Sequence, residues 1–222
     1  MDSEGHSILV FSINKLTATF DFVDAALSAF LKVKKGTPLI IIADTLRAEP
    51  VSIIEKKGKA SAIAQCTRVG DTYENFLKES FKTKGVEIPI YRWKDLMNME
   101  SYKKLYLNCW EIAKKDSRAL KSIEDLAMSH LKMRFPERVW KSNAITASMD
   151  FLMQETPLFS KITTLDGKEI RHVCYPTITE SEVVDTLREI AKQANFFEGI
   201  EDVEYTQILI SDLPEKEKPA ID

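Results

Sequence analysis

HSILVFSINKLTATFDFVDAALSAFLKVKKGTPLIIIAD, residues 6–44, decides the fold class. It contains two continuous apolar runs, HSILVFSI (6–13) and TPLIIIAD (37–44). Between them Phe20, Val23, Ala26, Leu27, Phe30 and Leu31 recur at helical spacing, with Gly36 read as the stop. A short run that is apolar on both faces reads as a strand covered on both sides. A strand–helix–strand unit built from such strands belongs to a parallel sheet.

Working outward, the pattern continues. A helical stretch runs to about Gly85 and is expected to break near Gly58 and Gly70, and VEIPIYRW (86–93) is a third strand weakened by Pro89. Residues 95–134 read as helices and 137–155 as another, HVCYP (172–176) as a short strand or loop, and 179–195 as a last helix. Thr179 with Glu182 three residues on has the spacing of a capping box. No internal repeat is visible. The expectation is one Rossmann-like α/β domain over residues 1–200, a parallel sheet flanked by helices, followed by an acidic tail, 201–222. A chain of 222 residues suits one well-buried domain better than two.

Composition narrows the function classes. Apolar residues at 44% and charged residues at 29% are ordinary for a soluble globular protein, and no apolar run approaches the roughly 20 residues that span a bilayer. The acidic N-terminus enters a strand directly and does not resemble a signal peptide. Cys66, Cys109 and Cys174 are too widely spaced for a disulfide framework or a CxxC metal site, and are read as reduced thiols of a cytoplasmic protein. His6, His130 and His172 are isolated, so no metal is expected. The net charge of −3 hides an asymmetry: from Glu198 onward there are eight acids and two bases, which leaves the rest mildly basic. Lys56, Lys57, Lys59 and Arg68 cluster around one turn and the start of a helix. They form either a solvated face or a surface for a phosphate backbone.

Ligands of doubly wound sheets bind beyond the carboxyl ends of the strands, which points to Ser12 and Asp44. After the first strand comes SINKLTATF, without a glycine, so neither GxGxxG nor a P-loop is present and binding of ATP or a dinucleotide is disfavoured. Ser12 has no GxSxG elbow and no well-placed histidine, which disfavours a hydrolase triad. A serine can nevertheless attack an ester that is already activated. FLMQETPLFSKITT (151–164) carries the second anomaly. Glu155 closes an apolar helix face, with no lysine or arginine within five residues on either side. Such a carboxylate either has a raised pKa or holds an incoming cation; the alternative is an exposed helix-end glutamate. Tyr175 is a core tyrosine or a hydroxyl donor.

Taken together, these residues resemble the cyclodipeptide synthases. The resemblance rests on Ser12 after the first strand, the aromatic-x-x-x-Glu-x-Pro-x-Phe segment from Phe151 to Phe159, and the Tyr175–Pro176 pair about twenty residues beyond it, in a chain of this length. The Tyr-Pro pair is similar to the XYP subfamily, named after it. The resemblance implies a fold like the catalytic domain of class I tyrosyl- and tryptophanyl-tRNA synthetases. It also implies an enzyme that joins the aminoacyl groups of two aminoacyl-tRNAs into a 2,5-diketopiperazine by a ping-pong route. Ser12 would carry the aminoacyl and then the dipeptidyl group. Glu155 would hold the substrate's α-ammonium and help move its proton, and Tyr175 would orient the acyl group or relay protons. Val10, Phe151, Leu152 and Pro176 would line the substrate pocket, and Lys56, Lys57, Lys59 and Arg68 would face tRNA. No cofactor is expected, and neither DNA nor a membrane as partner; a monomer is the expectation, though the sequence does not encode oligomeric state.

Two departures accompany the resemblance. Phe151 stands where the family usually has tyrosine, so the ring is kept and its hydrogen bond to the amino group is lost or supplied elsewhere. The usual Gly-x-Ser-x-x-Asn becomes Val10-Phe11-Ser12-Ile13-Asn14-Lys15, and Val10 narrows the first pocket. A non-catalytic module that binds tRNA or aminoacyl-tRNA is the alternative function.

Overall fold

The two apolar runs form strands. β1 (His6–Ser12) and β2 (Thr37–Ala43) pair in parallel in the register Val10↔Ile41 and Ser12↔Ala43, joined by α1 (Phe20–Val33). In this computed structural model residues 5–12, 17–161, 163–178, 181–197 and 199–210 are described. Asn14, Lys15 and the acidic residues from 211 onward lie outside them, as does Thr179 of the expected capping box. The chain continues through α2 (Ala48–Ile54), α3 (Lys59–Lys84), β3 (Ile90–Arg92), α4 (Trp93–Asn98), α5 (Glu100–Lys115), α6 (Ser117–Arg134), α7 (Ser142–Glu155), β4 (Thr164–Leu165), β5 (Lys168–Thr177), α8 (Val183–Gln193) and β6 (Glu204–Leu209).

The sheet order is β3-β2-β1-β5, with β6 paired in parallel on β5 and the short β4 antiparallel to β5. β1 therefore has β2 on one side and β5 on the other, which makes the β1–β5 junction the point where the winding reverses. The alternation of β1 sends Ile8 and Val10 into one apolar layer with α5, α6 and α7, and Leu9 and Phe11 into the other with α1 and α3. All four are at most 1% exposed, and each contributes roughly 2 kcal/mol of burial. No described helix is long and apolar enough to cross a membrane.

Four details differ from the reading of the sequence. Residues 204–209, assigned to an acidic tail starting at 201, are strand β6, which packs against β5 in the register Tyr175↔Gln207. β6 has only Ile208 buried within its span, so it lacks the continuous apolar run that marks β1 and β2. β5 is ten residues long, twice the HVCYP segment, and begins from a tight turn in which Asp166 and Gly167 both have positive φ (50° and 75°). The helices also start later than expected, α7 at Ser142 and α8 at Val183.

The fourth difference is Gly70, which does not interrupt α3. A Cβ there would stand 2.3 Å from Nη2 of Arg92 and 2.8 Å from Cβ of Asp44. The glycine is needed for close approach, because Arg92 bridges α3 to the end of β2. Its Nη2 lies 2.6 Å from Oδ2 of Asp44, and its Nη1 lies 2.9 Å from both Asp71 and Glu74. Asp44 also accepts from the backbone N–H of Trp93 at 3.3 Å. Thus Asp44, one of the two residues picked out by the strand-end rule, is engaged in holding β2, α3 and α4 together. Gly70→Ala is expected to cost about 1–3 kcal/mol through overpacking against this ion cluster, read as a lowered denaturation midpoint. An unchanged midpoint would show that the Arg92 side chain can move aside freely.

Candidate active site

Ser12 is the exposed last residue of β1, and its neighbours in the strand are fully buried. The β1–β5 pairing runs to Leu9↔Cys174. One step beyond that last pair, Val10 and Tyr175 belong to the same apolar layer. The pleat puts Ser12 on that face as well, two residues beyond Val10. Pro176 follows Tyr175 and has no N–H for a ladder bond. The serine and the tyrosine therefore share one face at the carboxyl edge, beside the reversal of winding.

Helix α7 delivers Glu155 to the same place. The last turn of the helix is apolar, with Phe151, Leu152 and Met153 all buried. Pro157 does not end the chain's winding but continues it as a three-ten turn over Thr156–Phe159, whose residues are all buried. Thr163 ties that turn down, its hydroxyl donating to the carbonyl of Pro157 at 2.7 Å. On its other side α7 is clamped by α4 and α5. Tyr102 donates to the carbonyl of Gln154 at 2.8 Å, the indole of Trp93 donates to Oε1 of Gln154 at 3.1 Å, and Tyr106 donates to Asp150 at 2.6 Å. These contacts fix the end of α7 that carries Glu155.

Glu155 is 5% exposed, so it is not a solvated helix-end residue. Tyr175 donates a long hydrogen bond to its Oε1, at 3.4 Å. Burial pushes the Glu155 carboxyl up to about 7, opposed in part by the Tyr175 hydroxyl and the charge of Arg47. Tyr175 is held well above the usual phenol range, first by burial and then by the nearby Glu155 charge. At neutral pH the pair is a carboxyl near half-protonation beside a phenol that keeps its proton. That combination can hold a cation and can exchange a proton.

Several neighbours were not singled out from the sequence. Arg47, in the turn after β2, lies within electrostatic reach of Glu155. Burial lowers the pKa of its guanidinium. Position 47 falls just past the strand end that drew attention to Asp44, so the same rule read three residues further would have included it. Arg47 and Phe151 line a small cavity with Ser148 and His130, and the His130 and Phe151 rings are 6.1 Å apart. Phe151 thus has an aromatic and a cationic neighbour where a tyrosine would place a hydroxyl. Tyr205 of β6 stands 6.1 Å from the Tyr175 ring, and its hydroxyl is buried with no partner among the described residues. No local signal marks Tyr205, because its relation to Tyr175 exists only through the β5–β6 pairing.

The basic residues lie elsewhere. Lys56, Lys57 and Lys59 are exposed at the turn before α3, and Arg68 is exposed further along that helix. Lys57 is held by Glu55 at 2.5 Å and by Gln65 at 2.6 Å. Lys59 and Arg68 are nine residues apart and so face opposite sides of α3.

No family model matches the chain, and no curated protein matches it in sequence. Solved structures do. A cyclodipeptide synthase from Staphylococcus haemolyticus superposes with a TM-score of 0.70 at 13% identity, over 95% of this chain and 92% of that one. A Mycobacterium tuberculosis protein, described as demonstrating that cyclodipeptide synthetases are related to type I tRNA synthetases, gives 0.65 at 13% identity, over 82% and 77%. The synthase from Candidatus Glomeribacter gigasporarum, solved bound to Phe-tRNAPhe, gives 0.56 at 12% identity, over 97% and 91%. Across nearly its whole length, the chain has the fold of the cyclodipeptide synthases.

Proposed function

We propose that this protein is a cyclodipeptide synthase of the Tyr-Pro type, taking aminoacyl groups from two aminoacyl-tRNAs and releasing a cyclic dipeptide. The observation that carries this reading is the buried Glu155–Tyr175 pair in a sheet whose first strand ends at Ser12, a fold shared with solved cyclodipeptide synthases. The likeness to a synthase solved with Phe-tRNAPhe supports aminoacyl-tRNA as the substrate.

In this mechanism the Ser12 hydroxyl attacks the ester carbonyl of the first aminoacyl-tRNA. The tRNA leaves through its ribose oxygen, which takes up the serine proton, and an aminoacyl ester remains on Ser12. Glu155 holds the α-ammonium of that group, and its low-dielectric setting strengthens the charge pairing. With a pKa of about 7, close to the ordinary range of an α-amino group, Glu155 can also accept the proton that must leave before the amine attacks. The freed amine attacks the ester carbonyl of the second aminoacyl-tRNA, whose ribose oxygen leaves and takes up the amine's proton, giving a dipeptidyl ester on Ser12. The new terminal amine then attacks that ester carbonyl, which closes the ring and restores the serine. Tyr175, which keeps its proton, orients the acyl oxygen or passes a proton onward. No ATP enters, because the ester already stores the activation. Val10, Leu152 and Met153 make the pocket wall apolar and favour small or aliphatic side chains.

The second reading is a module that binds aminoacyl-tRNA without chemistry, favoured by Phe151 in place of the family's tyrosine. Expression in a bacterium, followed by mass spectrometry of the medium, separates the two. A new diketopiperazine that appears only with the expressed protein is the expected result. Its absence, with the protein folded and bound to aminoacyl-tRNA, would establish the binding-only reading.

A further inference from the structure

A cavity of about 780 Å3 opens between Ile53–Lys56, at the end of α2, and Arg138–Ala144, at the start of α7. Three exposed cations, Lys56, Arg138 and Lys141, line it, and no carboxylate stands within ion-pair distance of any of them among the described residues. Glu55 on the same rim is paired with Lys57. Arg138 is held in place, its guanidinium 5.2 Å from the Phe135 ring and 5.9 Å from the Trp140 ring, with Nη1 donating to the carbonyl of Ile54 at 3.4 Å.

Two further features of the lining favour an anion. The indole N–H of Trp140, whose ring lines the cavity, is buried with no acceptor among the described residues. The first turn of α7 has no side-chain cap from Lys141, and Asn143 and Ala144 of that turn line the cavity. The Ala144 N–H already donates to the Lys141 carbonyl at 3.0 Å, so it is the positive end of the helix dipole that favours a phosphate here. The cations stand on both walls, from α2 and from the segment before α7, so the cleft suits a chain of phosphates better than a single one.

We propose that this cleft binds the phosphodiester backbone of the RNA substrate, a proposal that rests on the aminoacyl-tRNA reading above. Ile54 lines both this cleft and the small cavity bounded by Arg47 and Phe151. Asn143 and Glu155 stand near opposite ends of α7, about 18 Å apart along its axis. RNA seated in the cleft would therefore lead toward Ser12 along the length of α7.

The test uses the full chain and labelled deacylated tRNA, with binding followed by fluorescence anisotropy over a salt series. The Arg138→Ser, Lys141→Ser double variant is expected to bind about tenfold more weakly, with the slope of log Kd against log salt reduced by about 1.5 for two lost phosphate contacts. Trp140→Phe, which removes only the indole donor, is expected to weaken binding less, leaving the slope unchanged. The altered side chains at 138 and 141 are exposed, so circular dichroism should match that of the wild type. If the wild type binds tRNA and the double variant binds it equally well at every salt concentration, the proposal is overturned while the aminoacyl-tRNA reading stands. If the wild type binds no tRNA, both fail. Inorganic phosphate or ATP that quenches tryptophan fluorescence in that protein, but not in Trp140→Phe, would then reassign the cleft to a free phosphate ligand.

Discussion

Ser12→Ala is expected to lower cyclic dipeptide formation on the order of a thousandfold or more, because in the proposed mechanism its hydroxyl carries the acyl group through the reaction. The substitution should cost almost nothing in stability. Ser12 is the exposed end of β1, and the strand's packing is carried by Ile8 to Phe11. Binding of tRNA should persist for the same reason. The sharper measurement follows the intermediate. Wild type incubated with tRNA charged with a labelled amino acid should retain label on the protein through an ester that hydroxylamine or mild base releases. The alanine variant should retain none. Direct attack of one aminoacyl-tRNA on another would leave both proteins unlabelled while product still formed, and that pattern would sink the covalent scheme.

The second large effect belongs to Glu155→Gln, which should behave in opposite ways for stability and for chemistry. Burial raises the Glu155 carboxyl from 4.5 to about 7 in the folded protein. Between those values the folded state binds more protons than the unfolded chain. Stability is therefore full below about pH 4.5 and declines as pH rises through about 7. The loss from this one group amounts to about 3 kcal/mol by pH 8.5. Glutamine matches the neutral acid in size and cannot ionise. The variant should equal the wild type at about pH 3.5, below the unfolded value of 4.5, and be more stable by about that amount at pH 8.5. In the proposed mechanism product formation should fall by about a hundredfold or more, since no charge would remain to hold the α-ammonium or take its proton. Parallel pH–stability curves for the two proteins would mean that Glu155 ionises freely in the fold. Near-normal turnover would remove it from the chemistry.

Much of this molecule was legible because its signals are local. The apolar runs at 6–13 and 37–44 are buried on both faces, and such strands have one architecture open to them, the covered parallel sheet. Ser12 could be placed at a strand end by that reading alone. An acid at the end of an apolar helix could be recognised as an anomaly before its partner was known. Glu155 and Tyr175 are joined, by contrast, through the register of β5 on β1 and the docking of α7, and twenty residues of chain do not encode a 3.4 Å contact. Arg47 reaches Glu155 only because β2 lies in the same sheet. β6 was read as tail because an edge strand with one buried residue has no two-sided apolar run, and with it Tyr205 was missed. Gly70 read as a helix break because propensity registers a missing side chain. Only the approach of Arg92 and Asp44 shows that the space was required. The sequence by itself determined where strands, helices and the odd carboxylate lie, since periodicity and burial preference act over a few residues. The tertiary structure alone decided which groups meet, because contacts between distant segments depend on register and packing.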